Sequence, residues 1–128
     1  MRIFKTKWMM RYARRERIAD SSLTEAVERA GRGSIDADLG GGLIKQRVAR
    51  SGQGRSGGYR MIIAYRAGTR AVFLYAFAKN ERENIDPAEL TKLQAIGAAW
   101  LGADALRLAK ALEDGRLQEV TNDETGEA

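Results

Sequence analysis

An uninterrupted run of eight apolar residues, AVFLYAFA at positions 71–78, constrains the fold of this chain more than any other segment. A run of this length without polar alternation fits a strand that is covered on both faces. Half of its members are β-branched or aromatic, the residue types that favour strands: Val72, Phe73, Tyr75 and Phe77. We therefore expect residues 71–78 to form a central strand of a β-sheet.

Two further strands are predicted upstream of this run. Residues 59–66 (YRMIIAYR) reach it through a short turn at Gly68 and Thr69, which predicts an antiparallel hairpin. Residues 42–49 (GLIKQRVA) form the third candidate strand, and a glycine-rich loop separates it from residues 59–66. The centre of the protein is therefore predicted to be a three-stranded antiparallel meander.

The N-terminal flank predicts a short edge strand near residues 3–5, followed by a pair of helices. In the segment TKWMMRYARRERI, helical spacing places Trp8 and Tyr12 inward, with Met9 and Ala13 beside them. Ser22 followed three residues later by Glu25 is the pattern of a capping box, so we expect the second helix to open there.

The C-terminal flank predicts a helical extension from about residue 86. Asp86, Pro87 and Glu89 suit the N-cap, the first and the third helical positions. Leucines follow at helical spacing as far as a stop at Gly115, with a possible interruption at Gly97 or Gly102. The segment RLQEV is a candidate edge strand, and residues 121–128 are expected to form an acidic, disordered tail.

Composition excludes several kinds of chemistry. The chain has no cysteine and no histidine, which removes disulfides, thiolate catalysis, imidazole catalysis and most transition-metal sites. Asp36 and Asp38 have no further ligands at suitable spacing, so we interpret them as part of a turn leading into the sheet. No metal or cofactor is expected. No apolar stretch approaches the roughly 20 residues of a membrane span, and the N-terminus lacks a signal peptide, so we expect a soluble cytoplasmic protein.

Positive charge is concentrated in the predicted meander. The net charge of +5 combines an excess of basic residues before position 83 with an acidic C-terminal part. Residues 39–82 contain nine lysines and arginines but only one acid, Glu81. A concentration of this kind is typical of a surface that binds a polyanion through its phosphates.

Strand alternation places three of these cations on one face. Lys45 and Arg47 alternate in their strand with Ile44, Gln46 and Val48, and Arg60 alternates with Tyr59 and Met61 in the next. If the Tyr59 face covers the core, Arg60 turns outward beside Lys45 and Arg47. Like charges in such proximity repel, so we interpret the three as a phosphate site.

The polar end of the apolar run adds to this site. Lys79, Asn80 and Arg82 follow the predicted central strand directly, and a central strand is a rigid support for functional side chains. Taken alone, residues 79–83 (KNERE) also fit a charged turn before a helix. Their proximity to the basic strand positions favours a role in the phosphate site.

The order of elements and several motifs resemble RelE/HigB-type toxins of bacterial toxin–antitoxin systems. The motifs are DADLGGG followed by IKQRVAR, then SGGYR, and a strand that ends in FAKNER; the resemblance covers roughly residues 1–96. It implies an α+β, RelE-like domain over residues 1–120, with an antiparallel sheet of three to five strands, an N-terminal helix pair and a C-terminal helical extension. It also implies a ribosome-dependent endoribonuclease that cuts mRNA in the ribosomal A site, and an antitoxin partner that usually carries a helix-turn-helix DNA-binding domain.

The resemblance assigns site residues by position. The two basic residues of the family's first meander strand fall on Lys45 and Arg47, and the arginine of its GYR motif falls on Arg60. The cluster after the central strand falls on Lys79, Asn80 and Arg82. Some members carry an arginine where this chain has Asn80, and a catalytic tyrosine where this chain has Asp86.

RNA cleavage needs neither histidine nor metal, because the 2′-hydroxyl of RNA can attack the adjacent phosphate. Clustered cations favour a neutral lysine, so Lys45 or Lys79 is a candidate base, while Arg47 and Arg60 are candidates for clamping the phosphate. Three more arginines are expected to position the RNA backbone: Arg50, Arg55 and Arg82. A site with so few tuned acid–base groups is expected to be a weak nuclease on naked RNA.

Two other functions remain open. The same fold hosts ParE-type toxins, which target gyrase and are not nucleases, although they would not need three cations on one sheet face. The basic face is also compatible with a non-catalytic RNA- or ribosome-binding module. Either the N-terminal or the C-terminal helices can supply an apolar docking surface for an antitoxin.

Overall fold

The computed structural model describes residues 1–50 and 54–121, with side chains at all of these positions except 54–56. The described helices and strands, in chain order, are β1 (Arg2–Thr6), α1 (Lys7–Glu16), α2 (Asp20–Gly31), β2 (Ala37–Gly40), β3 (Leu43–Arg50), β4 (Gly54–Arg66), β5 (Arg70–Ala78), α3 (Pro87–Leu101), α4 (Ala105–Asp114) and β6 (Leu117–Glu119). The fold is α+β, as predicted. Most of the predicted tail, residues 122–128, lies outside the described residues.

The apolar run forms β5, an interior strand of the sheet. The strand order is β2-β3-β4-β5-β1-β6, so β5 is flanked by β4 and β1. One face of the sheet packs against α1 and α2, and Phe73 is fully buried there. The opposite face packs against residues of α3 and α4, and Val72 is fully buried in that layer. Coverage on both faces explains why residues 71–78 contain no polar residue.

The sheet is larger than predicted and mixed. Three to five antiparallel strands were expected, whereas the described residues form six and β1 runs parallel to β5. β1 is not an edge strand, because β6 pairs with its other side in an antiparallel register. Arg2 reinforces that edge by donating two hydrogen bonds, 2.8 and 2.9 Å long, to the Glu119 carboxylate. These pairings join the two ends of the chain, and no local pattern encodes them.

The C-terminal helices begin and end largely as predicted. Asp86 accepts a hydrogen bond from the Glu89 amide, and Glu89 accepts one from the Asp86 amide, which completes the capping box. The interruption falls at Gly102, between α3 and α4, while Gly97 lies within α3 against the sheet. Gly115 ends α4 in the left-handed conformation.

The N-terminal helices depart from prediction in two places. Met9, Tyr12 and Ala13 are buried, but Trp8 is 38% exposed. Its ring packs against those of Tyr12 and Tyr75 while part of it stays at the surface. The capping box predicted at Ser22 is wrong. α2 begins at Asp20, after an Ala19 cap without a side-chain hydrogen bond. The Asp20 carboxylate instead accepts hydrogen bonds from the Lys5 ammonium, at 2.6 Å, and from the Thr121 amide.

Glycines shape both ends of β3. Gly40, Gly41 and Gly42 all have positive φ angles, from 63° to 84°, and they turn the chain from β2 into β3. The segment read as a turn thus contains a short strand. At the other end, a Cβ on Gly58 would lie 2.2 Å from the Val48 carbonyl oxygen and 2.7 Å from the Arg50 amide nitrogen. Only glycine fits there, which gives the GGYR motif a structural cause.

Candidate nucleic-acid interface

The pairing of β3 with β4 brings three predicted cations onto one face of the sheet. Arg47 lies directly opposite Arg60, and Lys45 lies opposite Ile62. The Tyr65 amide donates to the Gly42 carbonyl, so these two residues form a hydrogen-bonded pair. Hydrogen-bonded and non-hydrogen-bonded pairs alternate along antiparallel strands, which makes Arg47 and Arg60 a non-hydrogen-bonded pair. In such pairs the Cα atoms are about 4.5 Å apart and the side chains lie closest. The side chains of Arg47 and Arg60 therefore project from neighbouring positions on the same face of the sheet.

These cations differ in exposure. The Arg47 side chain is 48% exposed and Lys45 is half-buried. Arg60 was predicted to turn outward beside Lys45 and Arg47; it lies on their face of the sheet, but it is not outward-facing, because only 7% of Arg60 is exposed. Arg60 lies on an interior strand between Arg47 on β3 and Phe77 on β5, which cover it from both sides. Its guanidinium also approaches the Tyr59 carbonyl at 3.5 Å.

Lys79 joins the same face at the end of β5. Phe77 pairs with Arg60, and the Lys79 amide donates to the Gly58 carbonyl at 3.0 Å, so the β4–β5 pairing continues as far as Lys79. Strand alternation then places Lys79 on the side of Arg60. Asn80 follows in the turn, and both residues are exposed. We refer to Lys45, Arg47, Arg60 and Lys79 as the basic face.

The two lysines of the basic face have no counter-ion in the described part of the chain. Neither the Lys45 nor the Lys79 ammonium makes a hydrogen bond or an ion pair with any of residues 1–50 or 54–121. Arg47 does have a partner: its Nε lies 2.9 Å from Asp36 Oδ1. The face therefore retains an excess of positive charge next to a closely spaced arginine pair.

The three arginines predicted to position RNA have different surroundings. Arg50 lies 4.0 Å from the Glu16 carboxylate and above the Tyr59 ring. The side chain of Arg55 lies outside the described residues. Arg82 donates hydrogen bonds of 3.1 and 2.6 Å to the two oxygens of Glu89.

The Arg82 contacts fix the turn that carries Lys79 and Asn80. Its Nε donates to the Asn84 carbonyl at 2.9 Å, while its guanidinium lies over the Phe77 ring. The hydrogen bonds from Arg82, followed by the one from the Asp86 amide, lower the pKa of Glu89 to about 2. Glu89 therefore stays ionised and holds the start of α3 against the end of β5.

A second polar cluster lies on the α1 side of the same sheet end. The Tyr59 hydroxyl donates to Glu16 at 3.0 Å, and the rings of Tyr59 and Tyr12 meet edge to face. Burial, together with the hydrogen bond to Glu16, raises the pKa of Tyr59. Burial also raises the pKa of Tyr12. Both hydroxyls thus stay protonated, and the cluster fastens β4 to α1.

Sequence reasoning missed the acidic partners of these cations. Glu89 was recognised only as part of a capping box, and no sequence signal connects it with Arg82. Asp36 was read as a turn residue. Recognising β2 as a strand paired with β3 would have placed Asp36 opposite Gln46, because Ala37 pairs with Lys45. Asp36 would then lie only one position along β3 from Arg47.

Two features are absent from the described residues. No group of three or more acidic side chains in residues 1–50 and 54–121 is arranged to hold a metal ion. None of the helices in this part of the chain combines the length and the apolar character required to cross a membrane.

The fold and the basic face together define a class of protein: a small α+β domain with clustered cations on one face of its sheet. A family model described as the RelE toxin of the RelE / RelB toxin-antitoxin system matches residues 1–120, so the chain belongs to this toxin family. The predicted RelE-type resemblance and the RelE-like fold are confirmed. Membership implies a toxin with a cognate antitoxin. No curated protein matches the chain.

Proposed function

We propose that this toxin is a ribosome-dependent, metal-independent endoribonuclease that cleaves translated mRNA in the ribosomal A site. The basic face is the observation that supports this proposal. Arg47 opposes Arg60 across two strands, and Lys45 and Lys79 lie on the same face without counter-ions among the described residues. Such an arrangement suits a phosphate whose negative charge increases during reaction.

The reaction is attack of a ribose 2′-hydroxyl on the adjacent phosphorus. One proton leaves the 2′-oxygen and another reaches the departing 5′-oxygen, so the products are a 2′,3′-cyclic phosphate and a free 5′-hydroxyl. Lys45 and Lys79 are the candidates for these two transfers, with Asn80 orienting the RNA beside them. Arg47 and Arg60 neutralise the phosphorane.

The remaining arginines act at the margin of the site. We assign Arg50 and Arg55 to the RNA or ribosomal RNA backbone. Arg82 can reach RNA only by releasing part of its Glu89 contact, so its larger contribution is to hold the turn that carries Lys79 and Asn80. The ribosome supplies the alignment that this site does not, which makes cleavage of naked RNA weak.

The setting follows from the reaction. The protein acts in the cytoplasm, where translated mRNA is found, and a cognate antitoxin holds it inactive. We propose that this antitoxin carries a helix-turn-helix DNA-binding domain.

Induction of the toxin without antitoxin tests the proposal. Lys45→Ala, Lys79→Ala and Arg60→Ala are compared with wild type, and Arg107→Ala is a matched control because Arg107 is an exposed cation on α4. We expect wild type and the control to arrest growth and to produce new 5′-hydroxyl ends inside translated frames. The basic-face variants should lose these ends by at least about 100-fold.

Other outcomes identify other functions. Arrest with intact mRNA and altered DNA supercoiling would establish a ParE-like gyrase inhibitor. Arrest with intact mRNA and stalled ribosomes would establish a non-catalytic ribosome-binding module. In either case the nuclease proposal is refuted.

A further inference from the structure

We propose that Asp36 is a positioning residue that aims the guanidinium of Arg47 at the phosphate of the bound RNA. The inference rests on the proposed function of the basic face and extends it to a residue that does not itself contact the reacting atoms. It is carried by the way in which Asp36 holds one end of the Arg47 side chain.

The closest atoms of the Asp36–Arg47 ion pair are a carboxylate oxygen and Nε of the guanidinium. Nε of Arg47 lies 2.9 Å from Asp36 Oδ1, and within residues 1–50 and 54–121 neither terminal nitrogen of Arg47 has a hydrogen-bond partner. Arg82 shows the opposite arrangement, since its Nε and both terminal nitrogens are occupied by Asn84 and Glu89. The fork of Arg47 therefore remains available for the bidentate contact that guanidinium groups make with phosphate.

Asp36 is well suited to orient a neighbour because it is itself fixed. Its amide donates to Gln46 Oε1 at 2.8 Å. Gln46 is fully buried, and its Nε2 donates to the carbonyls of Ala26 and Ser34 at 2.9 and 3.1 Å. A buried amide with all these bonds ties the loop before β2 to both α2 and β3. The Asp36 side chain is only 17% exposed, whereas that of Arg47 is 48% exposed.

The backbone of Arg47 is held from the other side. Arg29 is buried, pairs with Glu25 at 2.8 Å and donates a hydrogen bond to the Arg47 carbonyl. Arg47 is thus fixed at its backbone by Arg29 and at Nε by Asp36, so that only the terminal fork is left to bind a ligand. An open cavity of about 310 Å³ lies beside Arg47, and Arg29, Ser34, Ile35 and Asp36 also line it.

Electrostatics assigns the same role to Asp36. Arg47 and Arg60 lie directly opposite each other, and without a nearby anion their repulsion would drive the exposed Arg47 side chain away from the face. The Asp36 carboxylate offsets this repulsion at Nε while leaving the charge of the fork directed at the ligand. Loss of Asp36 should leave Arg47 attached to the sheet but poorly oriented.

A double-mutant cycle tests the proposal. Asp36→Ala, Arg47→Lys and the combined variant are compared with wild type in single-turnover cleavage on programmed ribosomes. A second assay measures affinity for a short RNA that carries 2′-O-methyl groups and cannot be cleaved. We expect Asp36→Ala to reduce cleavage roughly 10- to 100-fold and to have little further effect once Arg47 is lysine, since a lysine has no fork to orient.

Matched variants separate positioning from folding. Asp36→Asn keeps an oxygen near Nε and should recover part of the loss. Asp38→Ala removes an exposed aspartate whose only described contact caps Gly40, so it should leave both assays unchanged. Melting temperatures are measured throughout, and if Asp36→Ala does not fold, Asp36→Asn replaces it in the cycle.

The cycle distinguishes failure of this inference from failure of the proposed function. Equal effects of the Asp36 substitution with arginine or lysine at position 47 would show that Asp36 does not act through Arg47, and would overturn the inference. A wild-type protein that does not cleave would refute the nuclease while leaving the RNA-affinity cycle to decide the role of Asp36.

Discussion

Replacing Gly58 with alanine should damage both the stability of the fold and the basic face. A Cβ at this position would lie 2.2 Å from the Val48 carbonyl oxygen, whereas ordinary van der Waals contact begins at 3.4 Å. A second backbone atom, the Arg50 amide nitrogen, would lie 2.7 Å away. Both atoms belong to β3, so relief requires β3 and β4 to move apart by about 1 Å rather than a side chain to rotate.

The size of the effect follows from this geometry. Inserting a methyl group into a well-packed region costs about 1–3 kcal/mol, and the backbone clash places Gly58→Ala at the upper end, about 3 kcal/mol. For a chain of this size the melting temperature should fall by about 10 °C. Because Lys45 and Arg47 lie on β3 while Arg60 lies on β4, the same movement should reduce mRNA cleavage.

Gly31→Ala is the matched control for this substitution. Gly31 ends α2, and the nearest atom to an added Cβ is the Tyr65 hydroxyl at 3.9 Å. Its unfolding free energy should change by less than about 1 kcal/mol. Thermal and urea denaturation of both variants measure the difference, and cleavage on ribosomes is assayed below both melting temperatures. If Gly58→Ala and Gly31→Ala have the same stability and activity, this prediction is refuted, because the glycine of the GGYR motif would then not be needed for the close approach of β3 and β4.

Two further predictions concern charge. Arg82 lowers the pKa of Glu89 from its ordinary value of 4.5 to about 2, so their contact stabilises the fold above pH 4.5 and is lost as the pH falls from 4.5 to 2. The stability of Arg82→Gln should therefore depend less on pH in this range when acid denaturation is measured. An unchanged profile would contradict the pairing. The second prediction concerns the affinity for a short single-stranded RNA. If only the four cations of the basic face contact phosphates, the logarithm of the association constant should fall against the logarithm of the salt concentration with a slope of about −3. A slope near −6 would mean that all nine basic residues of positions 39–82 participate.

Local patterns in the sequence predicted the parts of the fold that depend on local physics. The eight apolar residues of β5 record its burial on two faces, and the Gly68 turn and the Asp86 cap depend on neighbours in the chain. Alternation along β3 and β4 also placed Lys45, Arg47 and Arg60 on one face, since the side-chain period of two is strict in paired strands.

Contacts between distant segments were beyond sequence reasoning. The pairing of Ile3 with Ala71 and of Phe4 with Glu119 makes the described sheet mixed and six-stranded. No sequence pattern in β1 or β6 indicates which strands they pair with. The burial of Arg60 has the same origin. Its own strand predicts which face it occupies, but its exposure depends on Phe77 of β5 and on the other residues around it.

The surroundings of each cation, rather than the number of cations, indicate which part of the surface we propose for RNA. Arg66 and Arg70 belong to the basic meander, but they donate to backbone carbonyls at residues 100–103, where the dipole at the end of α3 attracts positive charge. Arg82 is likewise committed to Glu89. These arginines attach the C-terminal helices to the sheet, so part of the high charge of residues 39–82 serves folding rather than the binding that we propose. The surface that we propose for a polyanion is therefore the end of the sheet where, within residues 1–50 and 54–121, Lys45 and Lys79 make no ion pair and Asp36 contacts Nε of Arg47.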